Sequence, residues 1–164
     1  MQNKKISVIM PVHNGQKYLT LSIESILKQN YRDFEFIIVN DDSTDDTEEI
    51  INSYNDKRIV LINNTTKLGV AKSLNIAINK SQGNYIARMD TDDISSPNRF
   101  KEQVEFLENN PEIGITGSDA YLTNSENKIT GLYNRPKTPT LIKWSALFSN
   151  PMIHPSILSR AQIL

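Results

Sequence analysis

The sequence predicts an α/β protein whose mostly parallel sheet carries helices on both faces. Three observations predict it. Short β-branched apolar runs alternate with amphipathic stretches of helical period through the first hundred residues. Four such strand–helix units follow one another, the pattern that builds a parallel sheet. Polar clusters stand directly after three of the runs, where an open α/β sheet gathers its ligand-binding loops.

The elements can be taken in order. Ile6 to Val12 is a continuous apolar run and reads as a buried strand. Tyr18, Leu19, Ile23, Ile26 and Leu27 recur at helical spacing, which predicts an amphipathic helix over residues 16–29. Phe34 to Val39 is a second strand, ending in the turn Asn40-Asp41-Asp42. Ser43 or Thr44 can cap the next helix, whose opening acids Asp45, Asp46, Glu48 and Glu49 suit the helix dipole. Ile50, Ile51 and Tyr54 give that helix its inner face. Ile59 to Ile62 is a third strand, followed by a helix marked by Val70, Leu74, Ala77 and Ile78. Tyr85 to Met89 is a fourth strand, broken by Asp90. Ser96-Pro97 opens a helix with inner residues Phe100, Val104 and Leu107, and Pro111 stops it. Beyond Gly114 the pattern loosens: Ile115 to Leu122 reads as one strand, Leu141 to Phe148 as a short helix, and Ile153 to Leu158 as a strand.

Composition bounds the function. A chain of 164 residues is one domain long, and 38 % hydrophobic with 23 % charged residues is ordinary for a soluble globular protein. A net charge of −1 and a pI of about 6.1 give no basic footprint for nucleic acid. Without cysteine, and with two isolated histidines, there is neither a disulfide nor a zinc-like ligand set. No apolar run is long enough to span a membrane. The opening stretch MQNKKISVIMPV lacks the marks of a signal peptide, so a cytoplasmic location is the expectation.

The chemistry concentrates at three strand ends: Pro11-Val12-His13-Asn14, Asn40-Asp41-Asp42 and Asp90-Thr91-Asp92-Asp93. Five carboxylates on one sheet edge repel one another unless a cation compensates. Hard oxygen ligands suit Mg²⁺ or Mn²⁺, and such an ion takes one or two carboxylates plus substrate phosphates. A metal-bridged diphosphate is the natural occupant. Acids before a helix are often only caps or turn-makers, which is the reading for Asp45 and Asp46 and the alternative for Asp41 and Asp42. For Asp90 to Asp93 that alternative is weaker, because packing so much like charge after a strand gains nothing structurally. The glycines at 15, 69, 83, 114, 117 and 131 form neither G-x-G-x-x-G nor a Walker loop. Phosphate must therefore be held by metal and side chains.

The segment SVIMPVHNGQKYLTLSIESILKQNYRDFEFIIVNDDSTDDT, followed by KLGVAKSLNIAINKSQGNYIARMDTDD, resembles the family 2 glycosyltransferases, strongly over residues 5 to 110. The resemblance implies a GT-A fold, Rossmann-like, over a nucleotide-sugar-binding domain spanning 1–164. It implies a nucleotide-diphosphate-sugar donor (a UDP-sugar first), a divalent cation (Mn²⁺ or Mg²⁺) and transfer with inversion to a hydroxyl on a saccharide or lipid-linked acceptor. By position, Pro11 and His13 match residues lining the nucleoside pocket, and Asp42 matches the acid that hydrogen-bonds the base. Asp90 and Asp92 match the D-x-D pair, with Asp92 the direct metal ligand and Asp90 nearer the ribose or metal. Lys72 could meet the nucleotide or be a solvated helix lysine. Asp93 could position its neighbours or the acceptor, and Arg99 could pair with this loop or face solvent.

The acceptor's general base lies, in this family, in an acidic motif downstream of a segment like Asn150-Pro151-Met152-Ile153-His154-Pro155-Ser156. The last carboxylate side chain here is Glu126, so that base is expected beyond Leu164, in a protein that continues into an acceptor-binding part and bacterial surface polysaccharide synthesis at the inner face of the membrane. His154 reads equally as a diphosphate- or acceptor-side residue and as a structural hydrogen-bond donor, and Trp144 reads as core. Two other functions compete: a non-catalytic nucleotide-sugar-binding module, and a metal-dependent nucleotidyltransferase, whose basic glycine-rich loop Pro11-Val12-His13-Asn14 does not supply.

Overall fold

The structure, a computed structural model, describes residues 5–164. Part of the N-terminal stretch on which a leader was judged absent lies outside the described residues. In chain order the elements are β1 (Ile6–Val12), α1 (Leu19–Leu27), β2 (Phe34–Asp41), α2 (Thr47–Asn52), β3 (Ile59–Asn64), α3 (Val70–Lys80), β4 (Tyr85–Arg88) and α4 (Arg99–Asn109). There follow β5 (Ile115–Thr116), β6 (Ala120–Thr123), β7 (Ile129–Tyr133), α5 (Pro139–Ala146), a 3₁₀ turn (His154–Ser156) and β8 (Leu158–Arg160). A further 3₁₀ turn spans Ala161–Ile163.

The main sheet runs β3-β2-β1-β4-β8-β5. Strands β1 to β4 are mutually parallel, and β8 is antiparallel to both β4 and β5. The expected mixed α/β layering is therefore present. Every residue of β1 and β2 is buried, because helices cover both faces. Alternation sorts the side chains: Ile6, Val8, Met10, Phe34, Phe36 and Ile38 pack with α1, α2 and α4. Ile9, Ile37 and Val39 face the other way, onto Leu74 and Ala77 of α3. Phe34 and Phe100 meet edge to face at 5.9 Å between ring centres and anchor the larger layer.

Both strands expected in the second half depart from expectation. The single strand expected over Ile115–Leu122 is two short strands in different sheets: β5 joins β8, and β6 pairs with β7 as a separate hairpin. Between them Ser118 N donates to Ser156 Oγ, docking the chain on the 3₁₀ turn. The hairpin turn places Asn127 at φ 59°, a conformation Asn tolerates well. The strand expected over Ile153–Leu158 is instead the 3₁₀ turn His154–Ser156, with β8 beginning only at Leu158, since Pro155 has no N–H to give a ladder.

Helix starts also shift. Neither Ser43 nor Thr44 caps α2, which begins at Thr47 after Asp46. Ser43 Oγ instead accepts from Asn14 N at 3.0 Å, and Thr44 N donates to Asn14 Oδ1 at 2.8 Å, so both are used to lace two loops together. Helix α4 begins at Arg99 after Asn98, and Ser96 contributes its carbonyl to Arg99 N. Trp144, expected in the core, is 63 % exposed on α5 and touches Phe148 edge-on. No helix among the described residues is long and apolar enough to cross a membrane.

Candidate active site

The strand order reverses between β1 and β4, and ligands of such sheets settle in the crevice beyond the carboxyl ends at that reversal. Four parallel strands deliver their ends to this one edge: Val12, Asp41, Asn64 and Arg88. Because β8 runs backwards against β4, the turn preceding it, His154–Ser156, arrives at the same edge. Pro11, His13, Asp42, Lys72, Asp90, Asp92 and His154 are thus brought to one side of the sheet.

The loops there are stitched by short hydrogen bonds. Thr91 Oγ1 donates to the Pro11 carbonyl at 3.2 Å, and Ser22 Oγ of α1 donates to the Asp90 carbonyl at 3.1 Å. The acidic loop is therefore held over the end of β1 from two directions. His13 is exposed, and its Nδ1 lies 2.8 Å from the Asp41 carbonyl. A carbonyl only accepts, so Nδ1 carries the proton and leaves Nε2 turned to solvent as the free ring nitrogen or second donor. Gln16 N and Gly15 N reach Asp45 Oδ2 and Thr47 Oγ1, which closes the loop after β1 on the loop after β2.

The two neighbouring carboxylates after β2 have different surroundings. Asp41 is 3 % exposed and accepts from Asn64 Nδ2 (2.7 Å), Leu68 N (2.8 Å) and Gly69 N (2.7 Å). Burial alone would raise its pKa, but these donors outweigh it and hold the carboxyl below its ordinary value. It closes the segment from β3 into α3, where Gly69 takes φ 87°. Asp42 turns out of the strand at φ 60° and stands exposed. Lys72, one turn into α3, is likewise exposed.

In the acidic loop the like charges are graded. Arg88 Nη1 donates to Asp90 Oδ2 at 2.6 Å. Asp92 projects into solvent. Asp93 is partly buried, and burial, then the charges of Asp90 and Asp92, push its pKa up to about 6 against the pull of Arg88 and Arg99. Burial is the larger cause, and the like-charge part, from Asp90 and Asp92, is what a divalent cation would relieve. No three His, Cys, Asp or Glu side chains among the described residues converge as a preformed cage. Mg²⁺ and Mn²⁺ sites completed by substrate phosphates and water need only one or two carboxylates, so Asp92 and Asp90 fit such an ion.

One arginine escaped the sequence reading and a second was left open by it. Arg88 lies in a run of buried residues, and that lone charge inside a strand was the available signal. Arg99, left open between the loop and solvent, is 8 % exposed. Its Nη2 donates to the carbonyls of Arg88 (2.9 Å) and Ile157 (3.1 Å). Burial pulls its pKa down to about 10. His154 is exposed at the mouth of an apolar cleft lined by Ile9, Leu74, Ile86 and Arg88. Partial burial, then Arg88, holds its imidazole below the ordinary value.

Comparison with known proteins bears on this site. The model of "Glycosyl transferase family 2" matches residues 7–157. An uncharacterized glycosyltransferase of Methanocaldococcus jannaschii is 38 % identical over 169 aligned residues, covering 100 % of this chain and 58 % of its own. An Escherichia coli UDP-Glc:alpha-D-GlcNAc-diphosphoundecaprenol beta-1,3-glucosyltransferase, WfgD, is 32 % identical over 87 % of this chain and 56 % of its own. The chain spans a little over half the length of these relatives. S. aureus TarS 1-349 in complex with UDP-GlcNAc superimposes with a TM-score of 0.75 at 23 % identity, over 98 % of this chain and 46 % of that one. The mannosyltransferase PcManGT of Pyrobaculum calidifontis, in complex with GDP-Man and Mn²⁺, gives 0.64 at 22 % identity, over 75 % and 36 %. Both likenesses establish the fold, which is GT-A.

Proposed function

The chain belongs to glycosyl transferase family 2, and from that membership we propose that it holds the donor of a metal-dependent, inverting sugar transfer. The donor is a nucleotide-diphosphate sugar, with a UDP-sugar first because WfgD is named for UDP-Glc and TarS was solved with UDP-GlcNAc. The acceptor is a hydroxyl on a saccharide or lipid-linked saccharide, as in WfgD's name, and the reaction takes place on the cytoplasmic side, at the membrane's inner face. The observation that carries the reading is the graded acidic loop at the strand-order reversal: Asp90 tied to Arg88, Asp92 free in solvent, Asp93 crowded by both.

Each residue then has a task. Asp92 and Asp90 hold the divalent ion, Mn²⁺ or Mg²⁺, which when bound neutralises the charge growing on the leaving diphosphate. Arg88 keeps the Asp90 carboxylate aimed while that charge develops. Pro11 and His13 border the nucleoside, and Asp42, exposed beside them, accepts from the base. Asp41 sets the shape of this pocket through its three donors and is the residue the sequence reading undervalued. Lys72 lies on the same edge and offers its ammonium to the nucleotide. The acceptor hydroxyl loses its proton on the opposite face of the sugar, and we assign no residue of 5–164 to that step.

Calorimetric titration of the chain with UDP, GDP and their sugars, with and without Mn²⁺, tests this. Metal-dependent binding of one nucleotide series is expected. Binding without metal, or to none of them, would sink the proposal. Binding without any transfer or donor hydrolysis by the whole protein would leave a nucleotide-sugar-binding module.

A further inference from the structure

We propose that Arg99 is a positioning residue whose buried guanidinium, working with Gln103, locks the His154–Ser156 turn to the strand end that carries the acidic loop. The lock makes the turn and the loop one unit facing the donor's diphosphate, and in that respect it rests on the transferase reading.

The geometry is a chain of directed bonds. Arg99 Nη2 donates to the carbonyls of Arg88, two residues before Asp90, and of Ile157, directly after the turn. Arg99 Nε donates to Gln103 Oε1 at 3.2 Å, and Gln103 Nε2 donates onward to the Ser156 carbonyl at 2.7 Å. Ser156 Oγ accepts from Ser118 N at 3.1 Å and shares its one proton between the carbonyls of Ile153 (2.8 Å) and Ser118 (3.1 Å). Arg88 N closes the circuit on the Ile157 carbonyl at 3.0 Å. One side chain therefore fastens β4, α4 and the turn before β8, segments 11 and 58 residues away in sequence.

The cost of this arrangement is what makes it informative. A buried guanidinium bonded to neutral carbonyls gives up most of its hydration, with no salt-bridge partner in contact among the described residues, and an apolar side chain of similar size would often be as stable there. Compensation comes from the Phe100 ring, whose centre lies 5.4 Å from the guanidinium carbon, and from the field of Asp93, itself in the acidic loop. A rigid planar fork with donors in fixed directions suits several acceptors at set angles, which a lysine does not. The expense is placed where two pieces of the candidate site meet, and it specifies their register.

Backbone hydrogen exchange and calorimetry on the 164-residue chain test the lock together. In Arg99→Met, exchange of the Arg88 and Ser118 amides is expected to quicken at least tenfold while β1 and β2 amides keep their protection. Mn²⁺-dependent nucleotide affinity should fall by about 10–100-fold, the usual effect of losing a residue that orients metal ligands. Arg99→Lys should recover part of both. Should Arg99→Met not fold, Gln103→Leu keeps the guanidinium on the Arg88 and Ile157 carbonyls and cuts the branch from Arg99 Nε through residue 103 to Ser156, and loosened Ser118 with weakened metal-dependent binding is expected again. Unchanged local exchange in the folded variants overturns the lock, as does a uniform loss of protection across the sheet. If the wild-type chain binds no nucleotide, the transferase reading fails separately, and the exchange data still decide the lock.

Discussion

Arg88 and Asp90 are joined by a 2.6 Å ion pair, with the arginine side chain 10 % exposed and the carboxylate 32 %. The pair sets the two outer carboxylates of Asp90-Thr91-Asp92 apart in kind. Asp90 is part of the folded frame, whereas Asp92 is exposed.

Stability and binding should therefore come apart. Asp90→Asn leaves a buried guanidinium with a weakened partner and should cost about 1–3 kcal/mol. Asp92→Asn, at an exposed position, should change stability by no more than about 0.5 kcal/mol. Metal-stimulated nucleotide binding should show the reverse ranking, with Asp92→Asn abolishing it and Asp90→Asn weakening it. Urea midpoints beside Mn²⁺-dependent calorimetry measure both rankings, and equal effects of the two variants would contradict the division.

Asp41 predicts an acid-sensitive fold. Its folded pKa lies below the unfolded one, so its stabilisation is complete above the unfolded carboxylate value of about 3.9 and fades as pH falls through the folded value. Asp41→Asn exchanges one accepting oxygen for a donor opposite either the Leu68 or the Gly69 amide, and should cost on the order of 2–3 kcal/mol at pH 7. The variant should then lose less stability than wild type between pH 5 and pH 3. Parallel urea curves at the two pH values are the measurement, and equal losses would deny Asp41 this role.

These predictions rest on features of unequal visibility in the sequence. The four parallel strands, their helices and the acidic edge were legible, because unbroken runs such as Ile6–Val12 and the 3.6-residue spacing of Leu19, Ile23 and Ile26 are set by burial itself. Asp42 and Asp41 could not be ranked: they are adjacent and identical in type, and only the positive φ at 42 turns one outward. Arg99's burial was equally hidden, since its acceptors Arg88 and Ile157 are backbone carbonyls, which no side-chain pattern reveals. The exposed Trp144 failed for a related reason. Helical spacing shows that a helix has an apolar face, not what that face meets.

Two glycines offer a last contrast, because what surrounds each decides what an added methyl disturbs. At Gly83 a Cβ would lie 2.6 Å from Ser7 N and 2.8 Å from Ile6 C, the backbone of the central strand, which has no room to yield. Gly83→Ala should destabilise by about 1–3 kcal/mol or more, as overpacking does. At Gly15 the Cβ would meet Val12 Cγ2 at 2.5 Å and Thr91 Cγ2 at 2.6 Å, both ends of side chains. Thr91 can rotate away, but its hydroxyl then leaves the Pro11 carbonyl, and the residue between Asp90 and Asp92 moves. Gly15→Ala should thus cost less stability than Gly83→Ala and more metal-dependent nucleotide affinity, about tenfold or greater for a displacement near 1 Å. Thermal unfolding of both variants, followed by UDP titration in Mn²⁺ of whichever remain folded, checks the pair. A Gly15→Ala chain that binds like wild type would show that the acidic loop does not depend on its contact with β1.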